Sequence, residues 1–251
     1  MLEAYSQEAL DELLARVPPR RGWDFSCMNV LRQPVPWNYD DLVVRYLRPT
    51  DSVLDIGTGG GETFSQLASF FGRGLGIDTD ARMIQLAVAN STSGNVRFGV
   101  GSARLEAISE TFDVILDRHV PFHLDAIAAH LKPAGYFVTQ QVGERNMACV
   151  KAALGQEITQ PPVQWQAFTA SGLRLLASLE YDVEYVVRDI ESLLFWLRGL
   201  DATHADLDGS AALASAAVLN RVLAGNVDER GFVTNEHRYL AVATTHGRQI
   251  R

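Results

Sequence analysis

The chain has 251 residues, with 22 Lys and Arg against 30 Asp and Glu, so its formal net charge at pH 7 is −8. This length suits one large domain, or a core with a small appendage, that buries a sizeable apolar interior without a metal or a disulfide. The acidic balance disfavours a protein that binds nucleic acid mainly by neutralising phosphates, and the 47% hydrophobic content excludes a wholly disordered chain.

The N-terminal residues 1–50 are predicted to form a helical and aromatic cap. Leucines at positions 10, 13 and 14 follow helical spacing until Pro18 and Pro19, which predicts a short amphipathic helix. The acidic start and the lack of about 18 consecutive apolar residues favour a soluble, cytoplasmic protein without a membrane partner. The two cysteines, Cys27 and Cys149, match no metal-ligand spacing, so no metal site is expected.

From Asp51 to about Val142, short apolar runs alternate with helical stretches. The predicted strands are residues 53–56, 74–77, 96–100, 112–116 and 136–142. The predicted helices between them are residues 63–71, 81–90 and 124–131. This alternation is typical of β-α-β units, so it predicts an α/β fold with a doubly wound, mostly parallel sheet.

The C-terminal part reads as a helical insertion followed by a final strand. Helices are predicted over residues 165–179, 191–200 and 211–224, and strands over residues 181–187 and 239–244. The last two strands are expected to pair antiparallel at the edge of a seven-stranded sheet. The main domain is therefore predicted to cover residues 51–251, with a cofactor-binding half at 51–143 and a substrate-side half at 144–251.

The most informative segment is the glycine-rich loop after the first of these strands. Asp55 is followed by Gly57, Thr58, Gly59 and Gly61, and then by a predicted helix. Glycines are needed where a strand turns sharply into a helix and a ligand touches the backbone. Glu62 occupies the position of the third glycine in the dinucleotide-binding pattern, so a phosphate at this loop is disfavoured.

This loop resembles motif I of the class I S-adenosylmethionine-dependent methyltransferases, whose ligand carries no phosphate. The GTGGGE form of the loop and the GWDFS segment at residues 22–26 resemble stand-alone bacterial methyltransferase-domain proteins. The resemblance covers about residues 51–143. It implies a Rossmann-like fold and S-adenosyl-L-methionine as cofactor.

Further cofactor-binding residues follow from position and from the resemblance. Asp78 ends the second strand, where a carboxylate can accept hydrogen bonds from both ribose hydroxyls. By the resemblance, Thr79 and Met83 lie on the adenine side. So do Ser102 and Ala103, although many relatives carry Asp at position 102, and a serine oxygen is a neutral acceptor for the adenine amino group.

The segment after the fourth strand is expected beside the cofactor's methyl group, because ligands of open α/β sheets lie at the carboxyl ends of the strands. Asp117 and Arg118 could border the methionine portion, and His119 is the candidate base, with a purely structural loop histidine as the alternative. Either Gln140 or Gln141 is expected to face the acceptor. The residues proposed for substrate contact are Trp37, Tyr39, Gln141, Asn146, Phe195 and Trp196.

These features predict a methyltransferase that transfers a methyl group to an oxygen or nitrogen atom of a small-molecule acceptor. Two alternatives stay open: a ribosomal or transfer RNA methyltransferase, which would need basic residues around the pocket, and a catalytically inactive cofactor-binding protein. Nucleic acid is disfavoured as a partner by the net charge of −8. A homodimer is left open.

Overall fold

The computed structural model describes residues 4–19, 25–156, 165–200 and 208–245. Residues 22–24 of the GWDFS segment lie outside these ranges.

The α-helices of the described residues are mostly short. They are α1 (Gln7–Arg16), α2 (Tyr39–Val44), α3 (Glu62–Gln66), α4 (Ala81–Asn90), α5 (Leu124–His130), α6 (Ala148–Leu154), α7 (Trp165–Ala170), α8 (Ile190–Arg198), α9 (Ser210–Ala214) and α10 (Ala216–Leu223). A 3₁₀ helix, Leu67–Phe70, continues α3. No helix within the described ranges is long and apolar enough to cross a membrane.

The β-strands of the described residues vary widely in length. They are β1 (Val30–Arg32), β2 (Ser52–Ile56), β3 (Arg73–Asp78), β4 (Val96–Val100), β5 (Phe112–Arg118), β6 (Leu131–Val142), β7 (Leu173–Val187), β8 (Val227–Asp228) and β9 (Gly231–Thr245).

The chain divides into two compact units. The first unit comprises the described residues within 1–35, 142–162 and 181–238, and the second unit those within 36–141, 163–180 and 239–251. The boundaries predicted from the sequence, after residues 50 and 143, stay a prediction.

The second unit contains the predicted parallel sheet. Its strand order is β7-β9-β6-β5-β2-β3-β4, and β2 pairs parallel with both β3 and β5, β3 with β4, and β5 with β6. In this register Ile56 lies beside Asp117, and Asp117 lies beside Thr139. The carboxyl ends of β2, β5 and β6 therefore meet at one edge. The predicted Rossmann-like α/β fold with a mostly parallel mixed sheet is confirmed.

The core of the second unit follows from the apolar runs of its strands. Leu54, Ile77, Ile115 and Phe137 are fully or almost fully buried, as expected for parallel strands covered on both faces. Phe168 of α7 stacks on Phe137 with ring centroids 6.3 Å apart. These contacts hold the strands whose ends carry the candidate site.

The first unit has its own core and its own strand pairs. β1 pairs antiparallel with the end of β7, at Val30 to Val187, and β8 pairs antiparallel with the start of β9. Helices α1, α6, α8 and α10 contribute buried side chains such as Leu10, Val150, Leu194 and Leu219 to this core. The amphipathic helix predicted near the N-terminus is α1.

Several predicted elements differ from the structure, among them β6, which begins at Leu131 and not at residue 136. The helix predicted over residues 165–179 is confirmed only as far as Ala170, where α7 ends, and it is wrong for residues 173–180, which belong to β7. Gly172 stops the helix with φ +78°, and its N–H bonds the carbonyl of Thr169. The predicted helix over residues 211–224 is broken at Ser215, which is extended. The last strand begins at Gly231, eight residues before the predicted start at 239.

Candidate functional site

The loop after β2 makes a tight turn that only glycines allow at two positions. Gly57 has φ +72°, and a Cβ on it would lie 2.5 Å from Cγ1 of Val120. Gly61 has φ +73°, and a Cβ there would lie 2.9 Å from Cβ of Ala87 and from Cζ of Phe98. Positive φ and close neighbours both exclude larger residues. The predicted sharp strand-to-helix turn is present.

Asp78, at the end of β3, is held against this loop. Its Oδ2 accepts a hydrogen bond from the backbone N–H of Gly59, 2.9 Å away, and its Oδ1 accepts one from Asp80 N–H, also 2.9 Å away. A carboxylate has about four acceptor positions, so each oxygen retains capacity for a ligand hydroxyl. The half-buried Asp78 is therefore oriented by the protein and still able to receive two ribose hydroxyls.

Two further carboxyl groups lie at the same ends of the sheet. The pKa of Asp55, on β2, is raised to about 7, mainly by burial and also by the charges of Asp78 and Asp40, and this value includes the opposing effects of Thr58 and Arg118. Asp117, on β5, is 0% exposed. Burial also raises the pKa of Asp117 well above its ordinary value, against hydrogen bonds from Thr139 and Gln141.

The two carboxyl oxygens of Asp117 differ in their hydrogen-bond partners. Its Oδ1 accepts hydrogen bonds from Oγ1 of Thr139, 3.1 Å away, and from Nε2 of Gln141. Its Oδ2 is buried and has no hydrogen-bond partner among the described residues. A buried carboxylate oxygen without a donor is costly, and a cationic or hydrogen-bond-donating ligand would satisfy it. Gln141, which the sequence predicts to contact substrate, donates its hydrogen bond to Oδ1 of Asp117.

The start of α2 lies on the carboxyl ends of β5 and β6. The buried hydroxyl of Tyr39 donates to the carbonyl oxygens of Asp117 and Val138, 3.3 and 3.2 Å away. The Arg118 guanidinium lies 5.2 Å from the centre of the Tyr39 ring and 3.4 Å from Oδ1 of Asp40. Arg118 therefore forms an ion pair with Asp40 beside the Tyr39 ring.

Three side chains form a hydrogen-bonded chain beside this segment. The indole N–H of Trp37 donates to Oε1 of Gln140, 2.8 Å away, and Nε2 of Gln140 lies 2.9 Å from Nε2 of His119. His119 itself is exposed at the end of β5 and has φ +64°. The sequence leaves open whether one of the two glutamines faces the acceptor or bonds the neighbouring loop, and in the structure Gln140 contacts His119 of the segment after β5.

The predicted adenine side shows a residue that sequence reasoning missed. The Ser102 hydroxyl donates to Oε2 of Glu106, 2.7 Å away, and accepts from the N–H of Arg104, 3.2 Å away. This hydrogen bond lowers the pKa of Glu106. The spacing of four residues between Ser102 and Glu106 could have indicated this hydrogen bond. Thr79 and Ala103 lie in the loops after β3 and β4, and Met83 lies in α4.

The remaining predicted substrate residues belong to the first unit. Asn146 is buried, and its Oδ1 accepts from His237 N–H and from Arg238 Nη1. Phe195 is buried in the core, edge-on to Phe25. Trp196 packs on Tyr185 with ring centroids 5.3 Å apart. Both aromatic residues are thus engaged in packing, and their substrate role stays a prediction.

The second-unit residues fit the cofactor that the sequence indicates. The glycine loop forms a turn in which added Cβ atoms would collide with Val120 or Phe98. Asp78 retains acceptor capacity, and Oδ2 of Asp117 has no donor. A ligand with a sugar diol and positive charges matches this set of acceptors, whereas a phosphate does not.

Comparisons with known proteins agree with this geometry. The sequence profile of a family described as "Methyltransferase domain" matches residues 47–172, just over half of the chain. A 65-residue stretch is 38% identical to the ribosomal protein L11 methyltransferase of Thermus thermophilus. The match covers 26% of this chain and 26% of that curated relative.

Two solved structures illustrate the likeness in fold. The YcgJ protein from a Bacillus species superposes with a TM-score of 0.61 at 16% identity, covering 83% of this chain and 98% of that one. The N-methyltransferase NodS from Bradyrhizobium japonicum superposes with a TM-score of 0.50 at 13% identity, covering 82% and 94%. At these identities the likeness concerns the fold alone. The family match over just over half of the chain shows that it belongs to the methyltransferase domain family, in the class I S-adenosylmethionine-dependent group, and the likeness in fold agrees with this membership.

Proposed function

We propose that this methyltransferase transfers the methyl group of S-adenosyl-L-methionine to an oxygen or nitrogen atom of a small-molecule acceptor. The observation that carries the cofactor part is the hydrogen bond from Gly59 to Asp78, which orients a carboxylate over a loop of positive-φ glycines. The acceptor part rests on the site's acidic character and on the chain's net charge of −8.

In this proposal, each group of the cofactor has a partner in the second unit. Asp78 accepts from the ribose hydroxyls, and the backbone of Gly57 to Gly61 lies against the ligand. Asp55 and Asp117 face the ammonium and the sulfonium, and these positive charges favour the ionised forms of the two buried carboxyl groups. Arg118 lies near enough to the same edge for the ligand carboxylate. When bound, the cofactor supplies an electrophilic methyl group.

What the protein's own residues contribute is binding and orientation. Transfer to a positioned acceptor gains mainly from holding the two reacting atoms in line, because the sulfonium is already activated. The segment of α2 that carries Tyr39 and the end of β5 that carries Arg118 form one wall beside the acidic residues. We propose that the acceptor lies against this wall.

Calorimetric titration with S-adenosylhomocysteine tests the cofactor part. The wild-type protein should bind, and Asp78→Ala should bind at least tenfold more weakly, because a charge-assisted pair to the ribose is lost. Asp80→Asn is the matched control. Asp80 is partly exposed, bonds Arg82 and caps α4, and asparagine preserves the cap. Equal losses in both variants, or no binding by the wild type, would reject the assignment.

The acceptor class needs a separate experiment. The protein is incubated with methyl-labelled cofactor and a cell extract, and the products are separated by ultrafiltration. Label in the low-molecular-weight fraction supports a small-molecule acceptor. Label in the RNA or protein fraction contradicts it, and cofactor binding without labelled product in any fraction supports the inactive binding protein.

A further inference from the structure

His119 has a left-handed backbone conformation. Its φ of +64° lies in the left-handed region, which residues other than glycine rarely adopt. The backbone N–H of His119 donates to the carbonyl of Gln140, 2.9 Å away, and this bond belongs to the last parallel pair of β5 with β6, Arg118 beside Gln140. Strained conformations of this kind persist where surrounding contacts fix them, and they concentrate at functional sites.

The side chain of Gln140 fixes the ring of the same histidine. Gln140 is 5% exposed and Trp37 is 8% exposed, so the bond between them is shielded from water. An indole N–H can only donate, which means that the oxygen of the Gln140 amide faces Trp37. The NH₂ group of Gln140 then faces Nε2 of His119, 2.9 Å away.

This orientation determines which ring nitrogen of His119 carries the proton. The Gln140 NH₂ group only donates, so Nε2 of His119 must accept, and the proton of the neutral ring lies on Nδ1. Adding a proton to Nε2 would place two donors against each other. It would also leave a buried amide N–H without an acceptor, which is unfavourable.

We infer that Trp37 and Gln140 are positioning residues that hold His119 as the neutral tautomer with its proton on Nδ1. His119 then donates a hydrogen bond at the end of β5 and does not remove a proton through Nε2. This inference rests on the proposed function for its role, and it changes the role that the sequence suggests for His119 from base to donor.

The inference narrows the class of acceptor. Without a proton acceptor at Nε2, the site suits an oxygen or nitrogen atom that already has a free lone pair at neutral pH. A carboxylate oxygen is the simplest example, because it accepts a hydrogen bond from an Nδ1–H donor and has no proton to lose.

The tautomer can be measured directly, without cofactor or acceptor, by long-range ¹H–¹⁵N correlation spectra of protein labelled at its six histidines. The His119 signals are assigned by their loss in His119→Asn, since asparagine tolerates the left-handed conformation. At pH 7 the wild type should show a protonated Nδ1 and an unprotonated Nε2. His130, whose ring nitrogens lie 2.8 and 2.9 Å from carbonyl oxygens, is an internal reference.

Two variants test the chain of hydrogen bonds. Gln140→Glu replaces the donor by a carboxylate, so both nitrogens of His119 should become protonated at pH 7. Trp37→Phe removes the bond that orients the amide, so the single tautomer should be lost and a mixture should appear. Trp165→Phe is the matched control, because it makes the same substitution at a tryptophan whose ring packs on Phe168 and Tyr239.

A wild-type His119 protonated at Nε2, or a Trp37→Phe spectrum equal to that of Trp165→Phe, would overturn the inference. Because the readout needs no ligand, this failure differs from that of the proposed function, which shows as a lack of S-adenosylhomocysteine binding.

Discussion

The backbone N–H of Gly59 donates to Oδ2 of Asp78 over 2.9 Å, and so joins the loop after β2 to the end of β3. The N–H groups of Gly57 and Thr58 reinforce this junction, since both donate to the carbonyl of Ile77, 2.8 and 2.9 Å away. The loop and the carboxylate that we propose to bind the ribose are therefore arranged together before any ligand arrives. Such preorganisation reduces the entropy lost on binding.

The glycine loop should not tolerate a methyl group at position 61. Gly61→Ala combines a φ of +73° with contacts of 2.9 Å, so we expect about 2 to 3 kcal/mol of destabilisation and at least tenfold weaker S-adenosylhomocysteine binding. Urea denaturation and calorimetry measure the two effects. Gly94→Ala is the control, because a Cβ on Gly94 has nothing within 4 Å. Equal stabilities of the two variants would contradict this account of the loop.

The raised pKa of Asp55 should make stability fall as pH rises. The folded protein holds this proton up to about pH 7, whereas an unfolded chain releases it near pH 4. Between these values each pH unit costs the fold at most about 1.4 kcal/mol, and above pH 7 the full loss is present.

Asparagine at position 55 carries no such proton, so the melting temperature of Asp55→Asn should rise relative to wild type between pH 5 and pH 8. Asp80→Asn should show a constant difference over the same range, because the bond to Arg82 lowers the pKa of Asp80. A difference for Asp55→Asn that is independent of pH would show that Asp55 is ionised throughout.

The same carboxyl group should make cofactor affinity depend on pH. A cation in the site favours the ionised form of Asp55, so S-adenosylmethionine should bind more tightly as pH rises from 6 to 8. Calorimetry at several pH values measures this trend. In Asp55→Asn the affinity should be lower and its pH dependence reduced. An unchanged slope in the variant would assign the effect to another group.

The hydroxyl of Tyr39 should stabilise the start of α2. Burial raises the pKa of Tyr39 well above its ordinary value, so the hydroxyl stays protonated and donates to two buried carbonyl oxygens. Tyr39→Phe should lower the free energy of unfolding by about 1 to 2 kcal/mol. Tyr46→Phe is the comparison, since the Tyr46 ring packs on Tyr136 at 5.1 Å. Similar losses in both variants would mean that the two hydrogen bonds of the Tyr39 hydroxyl contribute no more to stability than the hydroxyl of Tyr46 does.

The adenine side offers a test by double substitution. Ser102→Asp would supply a charged acceptor but would place it beside Glu106, whose carboxylate now accepts from Ser102. We therefore expect little gain from Ser102→Asp alone, and roughly fivefold tighter S-adenosylhomocysteine binding when Glu106→Gln is added. Calorimetry on the two single variants and the double variant measures the coupling. Additive effects would show that Glu106 does not act through position 102.

The sequence predicts elements well where local pattern and tertiary context agree. The bounds of α4 (Ala81–Asn90) and β4 (Val96–Val100) match the prediction to the residue. Residues 173–180, in contrast, have a composition that favours a helix, yet they extend along the sheet as part of β7. The glycine at 172 was the available signal, because a glycine after a helical turn often ends the helix.

Some residues of the candidate site could likewise be predicted from the sequence, and others could not. Gly57, Gly59, Gly61 and Asp78 follow from residue type at strand ends. The chain from Trp37 through Gln140 to His119 does not, because its members are distant in sequence and meet only through the register that sets Arg118 beside Gln140. A shift of one residue in that register would have brought a different glutamine to His119.

The contact between Val120 and Gly57 links two segments that are far apart in the chain. A Cβ at position 57 would lie 2.5 Å from Cγ1 of Val120 and 3.1 Å from its Cβ, so a tight contact would remain even with alanine at position 120. This contact and the φ of +72° together favour glycine at position 57. A movement of the turn after β5 would remove the Val120 contact from the glycine loop. Conversely, an added side chain at position 57 would displace Val120, which directly follows His119.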